Sequence, residues 1–354
     1  MNTEKLIGIG SMFALDGEIS QVKSLGEGFI NDTFILEISG SSQRYILQKK
    51  NSAIFKNIPG MINNILSVTE HLKSKIIEYG GDPLRETLTL IPLKNDPDTY
   101  YVKVDEEYWC VTLFIEESVT YQSADTLELA CQGGKGIARF QSMLSDFNKP
   151  IVDTLPGFHN IRFRFEQWDA CLAKDRCDRA SKVPELIDQI ESRRAQMLDF
   201  YKLIETGIIP KRITHNDTKI SNILFDSDGN VLCVIDLDTV LSAPCLYDFG
   251  DSIRSYANTG AEDDPILENV SMSRQIYDSY LEGYLSEADK FLTDIEKKYL
   301  PFSAKYITYE QFLRFLMDYI DGDTYYKIKY EDHNLVRARA QLKLLESIEK
   351  ELSV

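Results

Sequence analysis

The sequence has no long apolar run, no paired cysteines and no block of basic residues, and each absence removes a class of function. No stretch approaches the roughly 18 consecutive apolar residues of a membrane-spanning helix, so no membrane partner is expected. Lys and Arg nowhere cluster, and the formal net charge is −17. Nucleic acids and anionic bilayers both demand a basic footprint, so neither is expected as a partner. The excess acid reads as a solubility feature. Six cysteines stand at 110, 131, 171, 177, 233 and 245, but none form a CxxC pair and no His lies at ligand spacing from them. Cys110 in YWCVTLF and Cys233 in VLCVID sit in apolar runs and read as buried, reduced thiols of a cytoplasmic protein. The N-terminus, MNTEKLIGIG, lacks the basic and apolar regions of a signal peptide. Internal repeats and low-complexity segments are also missing.

What the chain does contain is length and pattern. Its 354 residues, 43% of them apolar, exceed what one core holds comfortably and suffice for two lobes. From residue 19 to about 115 the pattern is strand-rich. VKSLGEGFINDTFILEIS reads as two strands about a Gly-containing turn, and RYILQKK as a third. Met61, Ile65, Val68, Leu72 and Ile76 recur at three or four positions and predict an amphipathic helix after Pro59-Gly60. ETLTLIPL and YWCVTLFI predict two more strands. Beyond residue 116 helical spacing dominates, over 125–146, 163–179, 184–206, 271–296, 306–320 and 335–352. One hairpin interrupts it, ITHNDTKISNILFDSDGNVLCVIDLDT, with Asp228-Gly229 as its turn. The expected architecture is α+β, with a small β-rich lobe over 1–115 and a larger, mostly helical lobe over 116–354.

The hairpin carries the densest chemistry. In His215-Asn216-Asp217-Thr218-Lys219-Ile220-Ser221-Asn222, an Asp is followed five residues later by an Asn, the spacing of a kinase catalytic loop. Phosphoryl transfer needs a carboxylate to orient the attacking hydroxyl, oxygen ligands for magnesium, and a cation against the phosphates. Asp217, Asn222 and Lys219 fit these needs in turn. An apolar strand then ends in Asp236, a second candidate magnesium ligand, and alternation puts Asp238 on the same side. A short Asp-rich loop also occurs on surfaces that do nothing. The ordered combination of loop, turn and Asp-ended strand within 24 residues is what separates this one.

The stretches GEGFINDTF, YILQKKN, THNDTKISNILF, VIDLDTV, LYDFGDSIR and RFLMDYIDGDTYYKIKY…HNLVRARAQLKLL run from residue 26 to about 345. Together they resemble the aminoglycoside phosphotransferase/choline kinase superfamily, and the DTK, DLDT and RFL…GDxYY variants are similar to its N-acetylhexosamine 1-kinase branch. The resemblance implies a two-lobed protein-kinase-like fold, ATP with Mg2+, and phosphorylation of a sugar's anomeric hydroxyl. Carried over by motif, Arg314 and Tyr325 would contact the sugar. Read from periodicity alone, Arg314 pairs with Asp318 one turn on and Tyr325 is core. Gly26 and Gly28 would lay backbone N–H groups over the phosphates, and Phe29 stands where the family usually has a His beside the sugar.

The lysine of the third strand falls on Gln48 by alignment or on Lys49 by charge, and adjacent strand residues face opposite ways. Backbone at Phe114, Ile115 and Glu116 would meet the adenine. Asp248 and Asp251 look like the carboxylates that hold the catalytic-loop backbone, with Arg254 as a partner for either. His159 and His215 read as scaffold. Choline, homoserine, an aminoglycoside or another sugar stay open as acceptors, as does a non-catalytic pseudokinase. The oligomeric state is not readable.

Overall fold

The computed structural model describes residues 2–27 and 31–354. Gly28 and Phe29, candidates for phosphate and sugar contact, lie outside the described residues. The chain forms two compact units: Met1–Thr120 with Asp146–Leu155 and Ile223–Leu241, and Tyr121–Ser145 with Pro156–Asn222 and Ser242–Val354. The division runs differently from a single boundary at 115/116. The hairpin that follows the catalytic loop packs with the first unit, because Val119 and Phe225 exchange backbone hydrogen bonds of 2.9 Å in both directions.

In the first unit, helix α1 (Thr3–Gly10) precedes strands β1 (Ile19–Glu27), β2 (Asp32–Ile38) and β3 (Arg44–Lys50), then helix α2 (Ile58–Glu78) and strands β4 (Val102–Val104) and β5 (Glu107–Leu113). The strands form an antiparallel sheet in the order β1-β2-β3-β5-β4. Period-two alternation turns Leu36, Ile38, Tyr45 and Leu47 into one core with Phe13, Trp109 and Val111. Gln48 and Lys50 therefore share the opposite face of β3.

Helix α2 starts at Ile58, three residues before the start after Pro59-Gly60 that the sequence predicts. Asn57 accepts the Gly60 N–H at 3.0 Å, Pro59 sits in the first turn, and Met61, Ile65, Val68, Leu72 and Ile76 are buried. ETLTLIPL does not become a ladder strand. It runs beside β5 through only two bonds, Ile91 N–H to the Val111 carbonyl and Leu113 N–H to the Thr89 carbonyl, both 2.9 Å. The pairing goes no further because β4 takes the next stretch of β5, from Trp109 to Glu107.

The second unit holds α3 (Leu127–Met143), α4 (Ile161–Lys174), α5 (Pro184–Glu205) and the short strand β6 (Arg212–Thr214). The chain then crosses into the hairpin β7 (Ile223–Phe225) and β8 (Val231–Val234) of the first unit. It continues through β9 (Leu241–Ala243) to α6 (Cys245–Tyr256), α7 (Arg274–Ala288), α8 (Asp294–Ile320) and α9 (His333–Leu352). Helices α3 and α7 approach so closely that a Cβ on Gly283 would fall 1.9 Å from the Cys131 carbonyl oxygen. The segment expected as one helix over 271–296 is two, because Thr293 and Glu296 form a capping box that starts α8 afresh. Helix α8 then runs on through Pro301, so the helix expected over 306–320 is the second half of a longer one. All six cysteines are unpaired, and four of them are buried.

Candidate active site

In the second unit the chain leaves β6 and turns through Asn216, whose backbone is left-handed at φ 65°. Two carboxylates from α6 hold this turn. Asp248 accepts the N–H groups of His215 (3.0 Å) and Asn216 (2.7 Å) and the Gln141 amide (2.8 Å). Asp251 accepts the Thr218 N–H at 2.8 Å and is itself gripped by Arg254 at 2.9 Å. The scaffold roles read from LYDFGDSIR match this geometry. Buried backbone donors need such acceptors, and a charged acceptor makes the stronger bond.

Asp217 stands half-buried on this frame. Lys219 Nζ lies 3.0 Å from its Oδ2, and Asn222 Nδ2 donates to the same oxygen at 3.1 Å and to the Asp217 carbonyl at 2.8 Å. The structure thus brings Asp217, Lys219 and Asn222 together. Burial pushes the Asp217 carboxyl up, but Lys219 and then His215 oppose it, and the pKa ends below the ordinary value. Asn222 spends its amide nitrogen on Asp217, which leaves its side-chain oxygen, a hard donor, uncommitted.

The first unit holds the other candidates. Of the lysines near the end of β3, the one that the structure buries was passed over in the sequence. Lys50 Nζ meets Asp238 at 2.7 and 3.0 Å and Gln48 Oε1 at 2.8 Å, and the Lys50 and Asp238 side chains are only 3% and 6% exposed. Burial alone would lower the Lys50 pKa, but Asp238 and, further down, Asp236 turn the net shift upward. Asn31 Nδ2 adds a 2.8 Å bond to Asp238. Lys49 faces the other way and is committed to Asp32 (2.7 Å) and Glu107 (3.3 Å). The signal was available: Lys50 is in phase with Gln48, two residues on. Strand β8 stops at Val234, two residues short of the expected end: Asp236 stands in left-handed backbone at φ 60° and opens a 3-10 turn over Leu237–Thr239, so strand alternation does not relate it to Asp238.

At Phe114, Ile115 and Glu116 some backbone groups are already engaged. The Phe114 N–H donates to the Arg44 carbonyl (3.0 Å), the Ile115 carbonyl accepts Ser118 Oγ (2.7 Å), and the Glu116 carbonyl accepts Arg85 (3.3 Å). Phe114 O, Ile115 N and Glu116 N are the groups left for a ligand edge.

Arg314 and Tyr325 also come together, within the second unit. The Arg314 guanidinium lies 5.9, 5.6 and 5.5 Å from the ring centroids of Phe158, Tyr325 and Tyr326, and donates one long bond, 3.4 Å, to Gln311. The alternative pairing with Asp318 is not formed. Asp318 instead accepts the N–H groups of Thr324 (2.9 Å), Tyr325 (2.8 Å) and Tyr326 (2.9 Å), which folds the turn that carries both tyrosines. Tyr325 is 58% exposed and so is not core. His159, read as scaffold, is buried against Glu310 at 2.7 Å.

The model of the phosphotransferase enzyme family matches residues 21–285. Solved structures similar to this chain include a microcompartment-associated aminopropanol kinase at 16% identity, covering 99% of this chain and 97% of that one with a TM-score of 0.66. A choline kinase from Cryptosporidium parvum Iowa II is 17% identical, with coverage of 99% and 96% and a TM-score of 0.59. A spectinomycin phosphotransferase in complex with ADP and spectinomycin is 14% identical, with coverage of 100% and 99% and a TM-score of 0.58. At these identities the likeness speaks to the fold, and the fold is the expected one: α+β and protein-kinase-like. Among the described residues no helix is long and apolar enough to cross a membrane.

Proposed function

We propose, from the premise that this chain belongs to the phosphotransferase enzyme family, that it is an ATP-dependent kinase of a sugar, phosphorylating the anomeric hydroxyl of an N-acetylhexosamine. The observation that carries the phosphoryl-transfer reading is the Asp217 carboxyl group held between Lys219 and Asn222 on a loop pinned by Asp248 and Asp251. In this reading Asp217 orients the acceptor hydroxyl in line with the γ-phosphate. Lys219 leaves its pairing with Asp217 to neutralise the transferring group, and Lys50 serves the nucleotide phosphates. The free backbone groups of Phe114 and Glu116 take the adenine edge, and Gly26 and Gly28 cover the phosphates.

Magnesium accompanies ATP in this reading, and the donor set fits it. Mg2+ is held by one or two protein oxygens plus the nucleotide's phosphates, with no dedicated cage. Among the described residues no three His, Cys, Asp or Glu gather to hold a metal. Asn222, through its uncommitted oxygen, and Asp236 would hold the ion, which supplies charge neutralisation on the β- and γ-phosphates.

For the acceptor, Arg314 decides between two chemistries. Its guanidinium reaches Gln311 through a 3.4 Å hydrogen bond and occupies the reach of three aromatic rings. A cationic acceptor such as choline would need those ring faces and would meet a like charge. A sugar hydroxyl or N-acetyl carbonyl can instead accept from Arg314, while Tyr325 packs on the apolar face of the ring. The test is ATP consumption against free sugars and amino alcohols, with a mild-acid step on the product. Consumption confined to N-acetylhexosamines with an acid-labile product supports the reading; a product stable to acid, or turnover of amino alcohols alone, overturns it.

A further inference from the structure

His159 precedes α4 in left-handed backbone at φ 54°. Its carbonyl accepts the Tyr306 hydroxyl at 3.1 Å, and its ring is packed by Phe158 and by Tyr247 of α6, with centroids 4.2 and 5.2 Å away. Nδ1 lies 2.7 Å from Glu310 Oε2, and Nε2 lies 3.3 Å from the Asn216 carbonyl oxygen. A carboxylate and a carbonyl only accept. Both ring nitrogens must therefore carry protons if both bonds are to exist, an assignment made from the network.

The Glu310 carboxylate is suited to hold such a ring. Burial would raise its carboxyl, but His159 first, then Arg164 and Arg314, bring it down to about 2. Its second oxygen accepts Arg164 Nε at 3.2 Å, and Arg164 is steadied by Gln167 at 2.9 Å.

The bond to Asn216 acts on the catalytic loop directly. The Asn216 carbonyl and the Asp217 N–H belong to one peptide plane, and that N–H donates to His215 Nδ1 at 3.2 Å. One histidine donates to the oxygen of this plane and another accepts from its nitrogen. Turning the plane over would break both bonds and carry the Asp217 side chain with it. Asn216 is left-handed, a conformation that L residues seldom hold without support.

We propose that His159, doubly protonated and held by Glu310, is a positioning residue that grips the Asn216–Asp217 peptide and so sets the direction of the Asp217 carboxylate. This rests on the reading that Asp217 orients the acceptor hydroxyl, and the experiment separates the two. The full chain, labelled with 15N-histidine, is compared with His159→Gln and Glu310→Gln by ring-nitrogen resonances and steady-state kinetics. One wild-type histidine is expected to show both ring nitrogens protonated at neutral pH; that signal disappears in His159→Gln and reverts to a neutral ring in Glu310→Gln. Loss of a charge-assisted bond at this peptide lowers kcat by about ten- to a hundredfold in both variants, with KM for ATP and acceptor within about twofold, a split that general destabilisation does not produce. A neutral His159 ring in the wild type, or wild-type kcat in either variant, overturns the clamp and leaves the kinase reading standing. If the wild type turns over no acceptor, the kinase reading fails while the nitrogen resonances still decide the state of His159. Should His159→Gln not fold, Glu310→Gln carries both measurements.

Discussion

Replacing Lys50 by Met separates what the buried Lys50–Asp238 pair does for stability from what it does for activity. Both side chains are nearly sealed from solvent, so the variant leaves Asp238 with Asn31 as its remaining side-chain donor of the two. Breaking a buried ion pair from one side costs about 3–5 kcal/mol, because the remaining charge stays desolvated. For a unit of this size about 2–4 °C of melting temperature corresponds to each kcal/mol, so the first unit should melt roughly 6–20 °C lower. The double variant Lys50→Met/Asp238→Leu removes both charges and should recover most of that loss. Neither variant should recover kcat, since the double variant still lacks the cation proposed for the phosphates. The assay is differential scanning calorimetry on wild type, both single variants and the double, read alongside turnover. The wild-type pair should also survive alkaline conditions. A lysine whose folded pKa is raised contributes fully below its unfolded value of about 10.4 and loses that contribution only as pH climbs through the higher folded value. A double variant as unstable as Lys50→Met would refute the reasoning, because the cost would then lie in packing and not in the orphaned charge.

Asp217→Asn keeps the shape of the loop and removes the charge; kcat should fall by about 10^3-fold or more while ADP binding by calorimetry is unchanged, and near-native turnover would count against the proposed site. Arg314→Met should raise KM for a sugar acceptor by about tenfold to a hundredfold at constant KM for ATP, whereas for a cationic acceptor the same change would lower KM. Asp318→Ala strips the acceptor from three backbone N–H groups and should cost about 3 kcal/mol, with acceptor KM rising more than kcat falls. Lys219→Met removes the first charge that opposes burial at Asp217, so the acid limb of the kcat/KM profile should move to higher pH; an unmoved limb would mean that another group sets it.

Much of the site could be read from the sequence because its parts are close together in the chain. Asp217, Lys219 and Asn222 lie within one loop, and the residues that pin it, Asp248 and Asp251, follow a turn that announces a helix. Lys50 was missed for a local reason. Alignment chose Gln48 and charge chose Lys49, yet alternation puts 48 and 50 on one face, and only the structure supplies Asp238, 188 residues away, to show which lysine is buried. The His159–Glu310 pair, 151 residues apart, left no spacing to detect. Tyr325 is held by Asp318, and that bond also removes the expected partner of Arg314. Periodicity correctly placed the two at neighbouring turns, but it could not show that the carboxylate was spent on backbone. The break between α7 and α8 has, by contrast, a local signal, the Thr293–Glu296 capping box, but helical spacing alone runs across it.

The lowered pKa of Asp217 bears on which of two jobs it does in the proposed reaction. A general base works best when its pKa lies near the working pH. Asp217 sits below the ordinary carboxylate value because Lys219, then His215, more than offset its burial. It is a weak proton acceptor before transfer begins. Its charge is nonetheless present throughout the neutral range, since a depressed carboxylate loses its proton-free form only as pH falls through the folded value, below about 3.9. A loose transition state asks for little more: the hydroxyl must be held in line, and its proton becomes acidic only once the new bond to phosphorus has advanced. Orientation then matters more than basicity, and orientation is what this loop is built to hold. Asp248 fixes the two amides before Asp217, Asp251 fixes the one after it, and His159 and His215 face each other across the intervening peptide. A strong base would need only proximity; a weak one, used for direction, needs every peptide around it fixed.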